Sequence, residues 1–232
     1  MTTIRAALEQ FIAQTDEVNS SSTSPPFMII DLFAKCLDEY GPEDLNKFVQ
    51  VRFNKEWSED HRFCDMFGPD HIQPFHINFF LSTYVIRNDL GSKASLKACG
   101  PVMEKLAAWL RERGHWDEAA MRAYRELVGD NPGQDLVACD AFGDALHGYV
   151  ASHPADDAGT QPYDDYFDGQ FTIKKVEADR MILEGPLDDG DDIRISLPRS
   201  VTAKARPGWS VTMELARIKG KWRILGVGNV YP

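Results

Sequence analysis

Nowhere do apolar residues run for the roughly 20 positions that a bilayer-spanning helix needs. The first fifteen residues alternate apolar with polar side chains instead of building a signal-peptide core, so no membrane is expected as a partner and a cytoplasmic location is the expectation. Paired cysteines are missing too. Cys36, Cys64, Cys99 and Cys139 are widely separated, which argues against a disulfide framework and for reduced, buried thiols. A basic surplus is also lacking, with 25 Lys and Arg against 36 Asp and Glu and a net charge of −11, so general affinity for nucleic acid or anionic membrane is disfavoured. Local catalytic signatures are missing as well: no nucleophile elbow, phosphate loop or His-Glu-x-x-His occurs. Gly226-Val227-Gly228 precedes no helix and so is no dinucleotide fingerprint. No catalytic residue is nominated.

What remains is the composition of a globular protein, 43% hydrophobic and 26% charged, long enough at 232 residues for two modest cores. Charge is unevenly divided. Residues 1–162 carry 25 acids and 14 bases, net −11, whereas residues 163–232 carry 11 of each. From Ile193 to Pro232 eight basic residues face a single acid, Glu214, so the last stretch is basic.

Hydrophobic spacing changes along the chain in the same way. Ile4, Ala7, Leu8, Phe11 and Ile12 fall at helical steps, and Ile29, Phe33, Cys36, Leu37 and Tyr40 do so again before Gly41. Pro42, Glu43 and Asp44 read as the first turn of a third helix that buries Leu45, Phe48, Val49 and Phe53. A short helix capped by Ser58 and closed by Gly68 and Pro69 comes next. One from Pro74 to about Arg87 follows, and then one that Gly100-Pro101 must kink or restart before Gly114. Two further helices are predicted, at about 117–128 and 134–150.

Residues 153–162, rich in Ala, Asp, Pro and Gly, read as a linker between a helical domain over 1–152 and a β domain over 163–232. Beyond the linker the period becomes two: Phe171 and Ile173, Met181 and Leu183, Ile193 to Leu197, then Val211, Met213 and Leu215. Lys219-Gly220 makes a tight hairpin turn into Trp222 and Ile224. The expected architecture is α+β in two domains, an all-α bundle followed by a small, closed or nearly closed β-barrel, SH3-like or OB-like.

The segment FFLSTYVIRNDLGSKASLKACGPVMEKLAAWLRERG, Phe79 to Gly114, resembles the helical SAM-like core-binding domain of tyrosine recombinases. Ser92 and Ser95 in the loop, Leu106, Trp109 and Leu110 on the following helix, and Gly114 at its end carry the likeness. It covers about 36 of 232 residues, and Gly100-Pro101 interrupts a helix that is usually continuous in that family. The resemblance implies a helical fold and DNA contact at most. The family's Arg, His-x-x-Arg and nucleophilic Tyr set does not follow, so recombinase activity is not implied.

Four groups of side chains bear on a possible site. His61, Cys64, His71 and His76 fall within 16 residues and combine imidazole with thiolate, the ligand set of zinc; the competing reading is a helix connection with surface histidines and a buried thiol. Apart from that zinc no cofactor is expected. Asp188, Asp189, Asp191 and Asp192 around Gly190 read as a solvated turn in preference to a calcium loop, and Asp164, Asp165 and Asp168 as the acidic end of the linker. Arg217, Lys219, Lys221 and Arg223 with Trp209 form the candidate surface for nucleic acid or a protein partner, against the alternative of a solvated, aggregation-resistant edge. The expected function is a non-catalytic binding or adaptor protein with a protein partner. Its rivals are a nucleic-acid-binding protein using the barrel and a zinc-stabilised helical domain with an unrecognised activity.

Overall fold

The computed structural model describes residues 2–15, 24–57, 61–88, 90, 92–129, 133–154, 163–185 and 191–232. Two compact units divide the chain, Met1–Gln134 and Asp135–Pro232. The predicted linker is described only at His153 and Pro154, because residues 155–162 lie outside the described set.

In the first unit the helices are α1 (Ile4–Thr15), α2 (Pro25–Tyr40), α3 (Lys47–Glu56), α4 (Phe63–Met66), α5 (Pro74–Phe79), α6 (Val85–Arg87), α7 (Lys93–Glu112) and α8 (Glu118–Val128). The stripes read from sequence on α1 and α2 are buried except for the half-buried Ile12 and Tyr40, with Phe11 edge-on to Trp109 of α7 at 5.9 Å and Phe33 edge-on to Phe80 at 5.2 Å. Pro25 and Pro26 start α2 where a missing N–H costs nothing. Gly41 does not stop it by turning left-handed. Its φ is −54°, and the chain continues into a tight turn over Gly41–Asp44. Glycine is needed there because a Cβ would stand 2.6 Å from the Phe63 ring.

The third helix therefore starts later than predicted, at Asn46, whose side chain accepts hydrogen bonds from the Phe48 and Val49 N–H groups at 3.1 Å each. Among its residues only Phe53 is buried, and Phe48 stands in solvent. α4 begins after Arg62, and Ser58 is outside the described residues. Between α5 and α6 the backbone widens into a π-helical turn over Phe80–Tyr84, so the helix predicted for 74–87 is present with an irregular middle. α7 is one helix through Gly100-Pro101, so of the kink or restart expected there the restart does not occur. Gly114 and Gly129 end α7 and α8 in left-handed conformations, and Asp117 caps α8 by accepting from the Ala120 N–H at 2.8 Å.

The second unit contains α9 (Gln134–Ser152, from its second residue on), strands β1 (Asp165–Val176), β2 (Arg180–Leu183), β3 (Ile193–Ser196), β4 (Ser210–Ile218) and β5 (Lys221–Tyr231), and a short helix α10 (Arg199–Thr202). The five strands form one antiparallel sheet in the order β3-β2-β1-β4-β5, curled into a half-barrel. The edge strands β3 and β5 approach each other without hydrogen-bonded pairing, so the described strands do not close into a full barrel. Cys139, Phe142 and Leu146 of α9 share a core with Phe171, Ile173, Met181, Leu183, Val211, Met213 and Leu215. The helix that sequence periodicity groups with the N-terminal helices thus contributes apolar cover to the half-barrel, a role a closed barrel would not require. Asp165 and Asp168, expected in the linker, lie in β1, and Asp164 adjoins it.

Candidate functional site

Arg5, Asp31, Lys35, Asp38, Arg62 and Asp65 line a cleft of about 380 Å³ in the first unit. Arg5 on α1 reaches both neighbouring acids: Nε donates to Asp65 Oδ1 at 2.5 Å, and Nη2 donates to Asp65 Oδ2 and Asp38 Oδ2 at 3.0 Å each. Asp38 is all but buried, its side chain 6% exposed, and its other oxygen accepts from the Cys64 N–H at 2.8 Å. One guanidinium thereby ties α1, α2 and α4 together. The Arg5 hydrogen bond holds the Asp65 carboxyl below its ordinary range, and Arg5 itself is held more firmly protonated, chiefly by Asp65. Lys35 pairs with Asp31 at 2.9 Å. In this cleft Arg5 thus pairs with Asp38 and Asp65, and Lys35 with Asp31.

Cys64 lies behind that network with its thiol donating to the Ala34 carbonyl at 3.4 Å. Burial, aided by Asp38, pushes its pKa well above the ordinary thiol value; burial likewise pushes Cys36, Cys99 and Cys139 up to about 12. All four cysteines are free and buried.

The other members of the candidate zinc set turn elsewhere. His61 is exposed, and His71 packs its ring on Phe67 at 4.8 Å. His76 is buried, its Nδ1 accepting from the Gln73 N–H at 2.9 Å while Nε2 lies 3.4 Å from Asp44 Oδ2 without hydrogen-bond geometry. Burial lowers the His76 pKa to about 4, so the ring is neutral. Among the described residues no group of three or more His, Cys, Asp and Glu is arranged to hold a metal ion.

In the second unit Ile218 pairs with Lys221, and Lys219 (φ 49°) and Gly220 (φ 73°) form the predicted two-residue turn, both left-handed as such a turn requires. The candidate basic set divides. Arg217 pairs with Asp165 on β1 at 2.7 Å and lies over the Trp222 ring at 5.8 Å. Trp209 belongs to the core, 5% exposed, with Arg206 over its ring at 5.1 Å, so it offers no stacking surface to a base. Lys219, Lys221 and Arg223 stand exposed along the hairpin. Gly220 N–H donates to Asp164 Oδ2 at 2.8 Å, which anchors the turn to the start of β1. Asp192 pairs with Lys174 at 2.9 Å, and Asp188, Asp189 and Gly190 lie outside the described residues.

Sequence reasoning missed the exposed face of α3. Phe48 is 91% exposed and Val51 56%, on one side of the helix with Lys47, Arg52 and Lys55 around them. The only acid of α3, Glu56, accepts from Arg52 Nε at 3.0 Å, and Trp57 at the helix end is 57% exposed. Three bases against one acid within an acidic half of the chain was the available signal. No protein-family model and no curated protein matches the chain.

Proposed function

We propose that the protein is a non-catalytic binding or adaptor protein, with α3 as its docking element for an acidic protein partner. The observation that carries this reading is Phe48, whose ring stands almost wholly in solvent at the centre of a basic helix face. A large apolar side chain held out by a well-capped helix has no value to the isolated fold, and Phe48 with Val51 one turn on is the anchor pattern of a helix that enters a groove. Lys47, Arg52 and Lys55 flank that pair, so an acidic rim on the partner complements them. The ion pairs of Arg5 and Lys35 in the cleft and the burial of all four thiols agree with a role in binding. A photo-reactive residue at position 48 of the full chain, expressed in its own cells, is expected to give a discrete adduct with one acidic protein. That adduct is expected to disappear when Lys47, Arg52 and Lys55 are neutralised. A turnover abolished by a single substitution in the cleft would overturn the non-catalytic reading.

Nucleic-acid binding by the β-hairpin is the second reading, favoured by the exposed Lys221 and Arg223. Against it stand the pairing of Arg217, the burial of Trp209, and Asp168 and Glu214 on the same sheet face. It requires affinity for labelled DNA or RNA that falls steeply with salt and is lost when Lys219, Lys221 and Arg223 are neutralised.

A further inference from the structure

On the outer face of the half-barrel two carboxylates stand opposite each other across β1 and β4. Asp168 is directly across from Glu214, and Tyr166, two residues earlier on β1, shares their face. Glu214 is in turn across from Gly226 and lays its side chain over that glycine, where a Cβ would stand 3.2 Å from Glu214 Cδ. The next pair away from the hairpin, Gln170 with Thr212, is uncharged. Toward the hairpin the charged groups are Asp164, Lys219, Lys221 and Arg223, with Arg223 across Ala216 from Tyr166.

Like charges directly opposite each other weaken a strand pair unless a cation lies between them. Among the described residues no Lys or Arg pairs with Asp168 or Glu214, and the described residues include every Lys and Arg of the chain. Beside these acids Tyr166 leaves an aromatic ring 48% exposed, stacked with Tyr163 at 6.1 Å and 13° between planes. Desolvation, and then the charges of Glu214 and Asp168, raise the Tyr166 pKa, so both carboxylates stand near its hydroxyl.

Elsewhere in this unit the same combination of ring and carboxylate is completed by an arginine. Arg206 pairs with Asp135 at 2.5 Å and lies over the Trp209 ring at 5.1 Å. Arg217 pairs with Asp165 at 2.7 Å and lies over the Trp222 ring at 5.8 Å. A guanidinium serves both partners at once, because its plane stacks on an aromatic ring while its edge donates in parallel to a carboxylate. Tyr166 with Asp168 and Glu214 is that combination without its arginine.

We infer that Tyr166, Asp168 and Glu214 bind an arginine side chain presented by a protein partner. The guanidinium lies against the exposed Tyr166 ring and donates to Glu214 and Asp168, which relieves the opposition of like charges. The face is open, which suits a side chain carried on a partner's surface; a free small molecule calls for an enclosing cleft. A single such contact is weak and is screened by salt. The inference is independent of the docking reading for α3, which lies in the other unit and takes an acidic partner.

Amide chemical shifts of the full chain, followed by NMR during titration with acetyl-Gly-Arg-Gly-amide up to about 10 mM at low salt, test it. Shifts are expected to gather at Tyr166, Asp168, Glu214 and Gly226, with a dissociation constant of about 1 mM. The peptide with lysine in place of arginine is expected to bind at least about threefold more weakly. The peptide with citrulline, which keeps the planar head and loses its charge, is expected not to bind. Tyr166→Ala and Glu214→Gln are each expected to weaken the arginine peptide at least about threefold. Tyr166→Phe keeps the ring and is expected to bind like the parent, and unchanged shifts away from the substituted residue show that each variant is folded. Absence of shifts throughout the range overturns the inference. So do shifts that gather in the first unit instead, a lysine peptide that binds as tightly, or an unchanged constant in Tyr166→Ala and Glu214→Gln.

Discussion

At the scale of single residues, two positions show how local chemistry and packing share a decision. Gly41 has an ordinary right-handed φ, so its lack of a side chain serves space and not backbone conformation. The Phe63 ring occupies the volume a methyl would need. Gly41→Ala is expected to lower stability by about 1 to 3 kcal/mol, as overpacking does, measured by urea unfolding. Combination with Phe63→Leu is expected to recover part of that loss. His76 binds a proton only near pH 4 when folded, against an ordinary value of 6.5. Between those values the unfolded chain binds more protons, so stability falls as pH drops from 6.5 toward 4, by up to about 3 kcal/mol at roughly 1.4 kcal/mol per unit. His76→Gln keeps an acceptor for the Gln73 N–H and removes the titration. Its unfolding free energy is expected to vary less with pH over that window, as measured by denaturant titrations at several pH values.

At the scale of elements, the Arg5 contacts hold three helices that sequence spacing alone leaves unrelated. Arg5, Asp38 and Asp65 are far apart in the chain and meet only when α1, α2 and α4 have packed. Arg5→Ala leaves the nearly buried Asp38 without its cation and is expected to cost about 2 kcal/mol, a magnitude typical of a charge-assisted hydrogen bond left unmade. Arg5→Ala with Asp38→Asn is expected to cost less than the sum of the two, a coupling that a double-mutant cycle reads directly. The hairpin is the contrasting case. Lys219-Gly220 was legible from two residues because left-handed backbone at both positions is a local demand. Gly220→Ala is expected to destabilise by about 1 kcal/mol, measured by thermal unfolding.

At the scale of the whole molecule, the assignment of α9 changes which piece of the chain can fold by itself. Phe142 and Leu146 are fully buried within the core of the half-barrel, so a fragment of residues 163–232 exposes the surface they cover. Residues 135–232 are expected to unfold cooperatively and to protect their amides from exchange. Residues 163–232 are expected to be partly unfolded and to bind hydrophobic dye. A cooperative, dye-free transition from the shorter fragment would place the whole core in the strands.

The sequence by itself determined the parts that depend on neighbours in the chain. The stripes of α1 and α2, the stops at Gly114 and Gly129, the period-two strands and the turn at Lys219-Gly220 are set by side-chain spacing and backbone sterics. Tertiary structure decided the rest, because burial is a property of what arrives from elsewhere in the chain. Phe48 and Phe53 are equally apolar and both lie on α3, yet one meets Phe63 and Phe67 and the other meets water. Trp209 looked like a stacking surface and became core, and His61, Cys64, His71 and His76, close in sequence, do not converge as a ligand set. The bundling of Arg5 with two distant carboxylates, and the alignment of Tyr166, Ala216 and Arg223 across three strands, exist only once helices and strands have found their registers.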